Sequence, residues 1–356
     1  MKKALQATAL SLTLATSTAA MAEFDKVRWQ VPMGFPSSLT ALGDTMPEVA
    51  KMLDEMSGGQ VTLRTFEPGK LIPALGVFEN VSNGNIPAGY SWMGYEWGQI
   101  PASALFGATP FGLESQEFIA WMYHHGGDDL LKELFQPYNV YPILCGTISP
   151  EAAGWFREEM DSLEKFKGLK FRAAGVGGEI MSEFGMSVTL LPGGELYQAL
   201  ETGVLDATEF SMPVVDEQLG FYQVAKHYYL PGWHQPSTNQ YLYINLDEWN
   251  GLNGQTQALI ENTCKAANTV ALAKAEALQG AVLKKFEEQG VQLHQYSPEI
   301  LNAFKEATDR VMKRRSESDP MFDKVYSSMK AFQEEHRPWK YYGYLPRDFG
   351  FEEADK

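Results

Sequence analysis

Cysteine is nearly missing from this chain: only Cys145 and Cys264 occur in 356 residues. That excludes a disulfide-dense scaffold and any multi-cysteine metal knuckle. The two lie far apart, one in an apolar run and one on a helical stretch, which reads as two buried free thiols rather than a pair. Positive charge is also scarce. Lys and Arg number 29 against 45 Asp and Glu, a formal charge of −16. So acidic a surface repels nucleic acid and anionic membrane, and neither is an expected partner. An anionic ligand would need a locally positive site. Catalytic signatures are lacking as well. No HExxH, CxxC, Walker A or GxSxG motif is present, and the six histidines are not set at zinc spacing. Gly175-Val176-Gly177-Gly178 misses the third glycine of a dinucleotide fingerprint. Neither an enzyme nor an organic cofactor is expected.

Beyond residue 22 no apolar run reaches the ~18 residues that a membrane span needs. The start is different. Lys2 and Lys3 precede a small-residue apolar run from Ala4 to Ala20, which closes on Ala20-Met21-Ala22. This reads as a secretory signal peptide over 1–22, cleaved before Glu23. Its removal leaves 334 of the 356 residues and, with two lysines gone, moves the charge from −16 to −18. A chain of that length suggests two domains.

What the sequence offers in place of catalytic motifs is a segment from Lys167 to Phe210. A short strand pattern ends in Arg172, a glycine-rich turn runs to Gly178, and a helical pattern follows to Phe184. A second strand (Ser187 to Leu191), a helix (Glu195 to Gly203) and a third strand (Asp206 to Phe210) complete βαβαβ. Arg172 and Glu209 fall at C-terminal strand ends, where open α/β sheets bind small ligands. A like unit precedes it: a strand at Val27–Met33, a helix from the Ser37-Ser38 pair to Met56, a strand at Gln60–Phe66, a helix closing at Gly84, and a strand from Tyr90. Thr256 to Glu288 reads as one helix without proline, ~50 Å long and able to bridge two lobes.

The run GFPSS…EMSGGQVTLRTFEPGKL…NVSNGNIPAGY, the PFG of Pro110–Gly112, the GLKFR before Ala173 and the aromatic Tyr228 to Trp233 stretch carry a resemblance. Together they resemble the solute-binding proteins of tripartite ATP-independent periplasmic (TRAP) transporters, in particular the branch that binds 2-oxo acids and lactate. The resemblance covers nearly all of the chain after residue 22. It implies an α/β, two-lobed periplasmic binding fold with a hinge and a long lobe-spanning helix. On that pattern lobe I comprises 23–147 plus about 236–270, lobe II comprises 148–235 plus about 280–336, and 337–356 form a tail. It further implies a periplasmic location, capture of a small 2-oxo or 2-hydroxy monocarboxylate, and delivery to TRAP membrane permease subunits. A dicarboxylate or sugar acid is the runner-up ligand.

Site residues follow residue by residue. Arg172 matches the arginine that grips the ligand carboxylate; an isolated arginine would otherwise read as a surface cation. Glu151, Glu209, the backbone of Phe210, and Gln235 match positions that hold a cation beside the ligand. Oxygen ligands suit Na⁺ or Ca²⁺. The glutamine and glutamate expected at the outer two positions are exchanged here, which keeps two carboxylates and one amide. Solvated charge is the alternative reading of both glutamates. Phe35, Tyr90, Trp92 and Tyr95 stand at first-lobe strand ends as ligand walls, or as ordinary core. The tail aromatics Trp339, Tyr341, Tyr342 and Tyr344 either fold back on their own lobe or form a homodimer interface.

Overall fold

The protein is described by a computed structural model of residues 23–347 and 349–350. The expected signal peptide lies outside the described residues. β1 (Val27–Pro32) buries Val27, Trp29 and Val31 by strict alternation, the period of a strand with one face on a core. α1 (Thr45–Met56) buries Met46, Val49 and Leu53 along one stripe. It begins well after the Ser37-Ser38 pair, where the sequence pattern placed its start. Ala41 adopts φ 58 and the Asp44 carboxylate accepts its N–H at 2.7 Å, a turn no helix can run through. Ser37 instead gives its hydroxyl to Glu67.

The chain continues through β2 (Val61–Phe66), α2 (Val77–Ser82), β3 (Ala88–Trp92), α3 (Ser103–Gly107), α4 (Ser115–His124), α5 (Gly127–Phe135) and β4 (Val140–Ile148). It then crosses to a second set: β5 (Gly154–Phe156), β6 (Lys170–Arg172), α6 (Gly175–Glu183), β7 (Ser187–Thr189), α7 (Leu196–Glu201), β8 (Ala207–Thr208), α8 (Pro213–Leu219) and β9 (His227–Leu230). β10 (Thr238–Asn245) returns, and α9 (Leu246–Asn250), α10 (Gly254–Glu288), β11 (Gln292–Gln295), α11 (Pro298–Ser318) and α12 (Pro320–Tyr342) follow.

Two sheets result, one per lobe. In the first, β1 and β2 pair in parallel, β3-β10-β4 form an antiparallel trio, and a Met33–Tyr90 bridge joins the two groups. The second has the order β11-β9-β5-β8-β6-β7, with β6 parallel to both β7 and β8. That is the βαβαβ unit read from Lys167 to Phe210. Its third strand keeps only Ala207–Thr208, because Glu209 turns its backbone and side chain to Arg172 instead. α10 is 35 residues long and capped by Asn253, whose side chain accepts from Gln255 and Thr256. One part of it lies on β4 and α1, the other on α8 and β11, so it joins the lobes as a rod. α11 packs on α6 of the second lobe, whereas α12 packs on α3, α4 and α5 of the first, so the stretch to residue 336 is shared between lobes. Lys340 and Arg347 tie the tail to Glu114 and Glu117 at the start of α4, yet the aromatics Trp339, Tyr341, Tyr342 and Tyr344 remain 55–83% exposed around the end of α12.

Cys145 and Cys264, expected as free thiols, form a disulfide. Cys145 on β4 faces Cys264 on α10 with 4.3 Å between Cα atoms. A helix laid across a strand created that proximity, over a separation of 119 residues that spacing alone cannot read.

Glu96, in the turn after β3, is buried, and burial with the nearby charge of Glu79 pushes its carboxyl up to about 8. A folded value above the free value of 4.5 means full stability below about pH 4.5, drained as pH rises towards 8. Glu96→Gln should therefore stabilise the protein by about 1–3 kcal/mol at pH 9 and change little at pH 4. Thermal melts at both pH values check this. A variant that gains equally at each would show that ionisation of Glu96 is not the cause.

Candidate functional site

β6 ends at Arg172 and β8 at Thr208, and their parallel register sets Glu209 immediately beside the guanidinium. Arg172 is 2% exposed. Its Nε donates to Leu191 O at 3.1 Å, and its Nη1 donates to both the backbone and Oε1 of Glu209 at 2.8 Å. The Phe210 ring lies 5.1 Å from the guanidinium carbon, a cation–π contact in a dry setting. Its own hydrogen bonds replace the water that the guanidinium loses at this depth.

Glu209 is held at every lone pair that matters. Oε1 also accepts from the Ala174 N–H at 3.1 Å, and Oε2 lies 3.3 Å from His234 Nε2 and 3.4 Å from Gln235 Nε2. Burial pushes its carboxyl up, but Arg172, His234 and the Ala174 N–H together hold it below the usual carboxylate range. Glu151 is the opposite case. It is 2% exposed, and its Oε2 has no hydrogen-bond partner among the described residues. Burial first, and the charge of Glu209 second, drive its carboxyl well above the ordinary value. The backbone fixes it firmly: its N–H donates to Gln235 O at 3.2 Å and its carbonyl accepts from Gly232 at 2.7 Å.

Ligand atoms of Glu151, Glu209 and His234 lie within 4.8 Å of one another. A buried carboxylate oxygen without a donor is the feature a hard cation would satisfy, and Gln235 adds an amide oxygen nearby, already bonded by Thr238 at 3.0 Å. The donor set fits Na⁺ or Ca²⁺. It would also answer a charge problem. Arg172 is already balanced by Glu209, so an incoming carboxylate adds negative charge to a site with Glu151 in it. A bound cation supplies the missing positive charge.

The space between these groups is small, a cavity of about 20 Å³. Phe35, Leu42, Trp92, Tyr95 and Phe210 wall it, and Glu151, Arg172, Ala174, Ser211, Gln235 and Thr238 supply its polar lining. Tyr95 meets Trp92 edge-on at 5.1 Å and Phe35 at 6.0 Å, and burial raises its hydroxyl to about 12, so it acts as a neutral donor. Trp92 of the first lobe reaches Gly175 of the second. That glycine has φ +58, and a Cβ there would stand 3.2 Å from the Trp92 ring, so glycine permits the lobes to close. Other inter-lobe bonds agree: Phe111 N–H to Trp233 O at 2.8 Å, and a reciprocal pair between Thr40 and Gln218 at 3.0 and 2.9 Å.

Of the residues singled out in the sequence, Arg172, Glu151, Phe210, Gln235, Phe35, Trp92 and Tyr95 line this cavity, and Glu209 joins it through its bonds to Arg172. Tyr90 does not line it. Its hydroxyl turns to Leu42 O at 3.2 Å and its ring backs Phe35 edge-on at 6.4 Å, so it props a wall from behind. Sequence reasoning missed His234, Ser211, Thr238, Leu42 and Ala174. His234 alone had a signal, being next to Gln235 in the aromatic run.

Residues 35–319 match the model of the family described as bacterial extracellular solute-binding protein, family 7. A monocarboxylate 2-oxoacid-binding periplasmic protein of Nostoc sp. is 35% identical over 331 residues, covering 93% of this chain and 90% of that protein. A TRAP transporter solute-binding protein of Bordetella bronchiseptica, solved as a mixed-occupancy dimer with copurified calcium and picolinate, superposes with TM-score 0.87 at 31% identity, covering 88% of this chain and 94% of that one. One from Pseudoalteromonas atlantica, with bound sodium and pyruvate, gives 0.86 at 31% identity, covering 90% and 98%.

Proposed function

The chain belongs to family 7 of the bacterial extracellular solute-binding proteins, the receptors of TRAP transporters, and on that premise we propose that it captures a short 2-oxo or 2-hydroxy monocarboxylate in the periplasm and hands it to a membrane permease. One observation carries the reading: a fully buried arginine and a buried carboxylate oxygen without a partner face one small cavity of about 20 Å³. So little space favours a short acid over a sugar acid. Arg172 meets the ligand carboxylate, and Glu151, Glu209, Gln235 and the Phe210 backbone hold Na⁺ or Ca²⁺ beside it. The cation neutralises the surplus carboxylate and offers a contact to the ligand's second oxygen. Nothing in this set is a nucleophile poised beside a base, so the receptor binds and releases without turnover.

Closure buries the ligand between lobes, a hinge motion about the segments that cross between them. The test is calorimetry with pyruvate. Exhaustive chelation followed by transfer to sodium-free buffer should weaken binding tenfold or more, about 1.4 kcal/mol at least, and added Ca²⁺ should restore it. Equal affinity with and without cation would leave the two glutamates as mere buried acids.

The exposed aromatics around the end of α12 support a homodimer in this reading, because a contiguous apolar patch seeks cover. Light scattering should find a dimer for the full chain and a monomer once Trp339 to Lys356 is deleted. A full-length monomer at high concentration ends the idea.

A further inference from the structure

Two polar atoms of the cavity lining are buried without a partner among the described residues and are not committed elsewhere: Glu151 Oε2 and Ser211 Oγ. Trp92 Nε1 is also without one, but it faces Gly107 across the wall and not the cavity. Ser211 is 1% exposed. A hydroxyl at such depth loses water on folding, and leaving it unbonded is costly unless a ligand later supplies the bond.

The backbone around it is fixed on both sides. Ser211 N–H donates to the Asp216 carboxylate at 3.2 Å, and its carbonyl accepts from Ala152 N–H at 3.1 Å. Asp216 in turn takes Trp155 Nε1 and the Tyr228 hydroxyl, each at 2.9 Å, so this anchor is itself rigid and buried. The pairing with Ala152 also sets Ser211 in the segment alongside Glu151. Rotation about one side-chain bond is then the only freedom the hydroxyl has. A pre-positioned donor of this kind reads one atom of a ligand.

We infer that Ser211 is a specificity-determining residue, whose hydroxyl bonds the oxygen on carbon 2 of the captured acid while Arg172 holds its carboxylate. Resting on the proposed capture of a short monocarboxylate, this names what the receptor demands of it: an oxygen beside the carboxylate, oxo or hydroxy. Ser211 donates to a 2-oxo group and can donate to or accept from a 2-hydroxyl. An acid with only hydrogen there leaves the serine unbonded in the closed cavity and is rejected for that reason.

Calorimetry at fixed saturating Ca²⁺ with pyruvate, lactate and propanoate tests this. Wild-type protein should favour both oxygenated acids over propanoate by 10- to 100-fold. Ser211→Ala should lower affinity for pyruvate and lactate about tenfold and leave propanoate unchanged, collapsing the preference. Ser211→Gly, which removes the hydroxyl and adds no bulk, should repeat the result, and the ligand-free melting point of either variant reports folding. A uniform loss across all three acids, or no loss at all, overturns the role of Ser211 while leaving the receptor reading intact. Failure of the wild-type protein to bind any of the three overturns the monocarboxylate reading beneath it.

Discussion

Arg172→Lys should weaken binding of a short 2-oxo acid by roughly 30- to 1000-fold, on the order of 2–4 kcal/mol. Two functions of the guanidinium are lost together. In the native site its Nε and Nη1 are committed to Leu191 O and to Glu209, and the planar fork leaves a further edge for a carboxylate. A lysine head is a compact point charge on a flexible stem. It can stay with Glu209 or meet the ligand, but it cannot present parallel donors to both. Lysine is the informative replacement because it keeps the charge. Alanine would leave Glu209 charged and unpaired in a dry pocket, at about 3–5 kcal/mol of stability, and would confuse unfolding with lost recognition. Calorimetry measures the affinity, and a thermal melt without ligand confirms that the variant is folded. Affinity near that of the wild type would remove Arg172 from the ligand contact.

Loss of the disulfide should be the largest purely structural effect. Cys145→Ala or Cys264→Ala is expected to cost about 2–5 kcal/mol, the upper part of the range suiting a closure of 119 residues. The melting midpoint should fall on the order of 5–15 °C. The bridge ties α10 to the first-lobe sheet at β4 and leaves the far end of the helix to follow the second lobe. Lobe closure should therefore survive its loss, and affinity at low temperature should stay within a few-fold of the wild type. An unchanged midpoint would mean that the packing of α10 on β4 alone holds the junction.

Much of the fold was legible in the sequence because its signals are local. Alternation marks β1, an i, i+3, i+4 stripe marks α1, and an unbroken run without proline marks α10, each within a window the chain itself supplies. The chain order of strand, helix and strand from Lys167 then dictates a parallel sheet, since a short crossover helix must return the chain in the same direction. That places Arg172 and Glu209 at neighbouring strand ends before any coordinate is known. The start of α1 was misread for a physical reason. A serine pair caps a helix well, but here the left-handed turn at Ala41 and the Glu67 carboxylate compete for the same residues.

Residue types and their chain positions thus determined the strand–helix–strand units and the arginine at the strand end, and the family resemblance implied the two-lobed class. What they could not determine is any relation between side chains distant in sequence. Tyr90 and Trp92 look equivalent on β3, yet the loop at Leu42 claims the hydroxyl of one, and the cavity receives the ring of the other. The exchange of a free-thiol pair for a disulfide depended on α10 crossing β4. His234 became part of the site only when the segment after β9 folded against Glu209, and Ser211 only when the segment after β8 paired with Ala152 beside Glu151. Burial decides the last point: Glu151 and Glu209 are the same residue type, and only the tertiary structure surrounds one with donors and leaves an oxygen of the other bare.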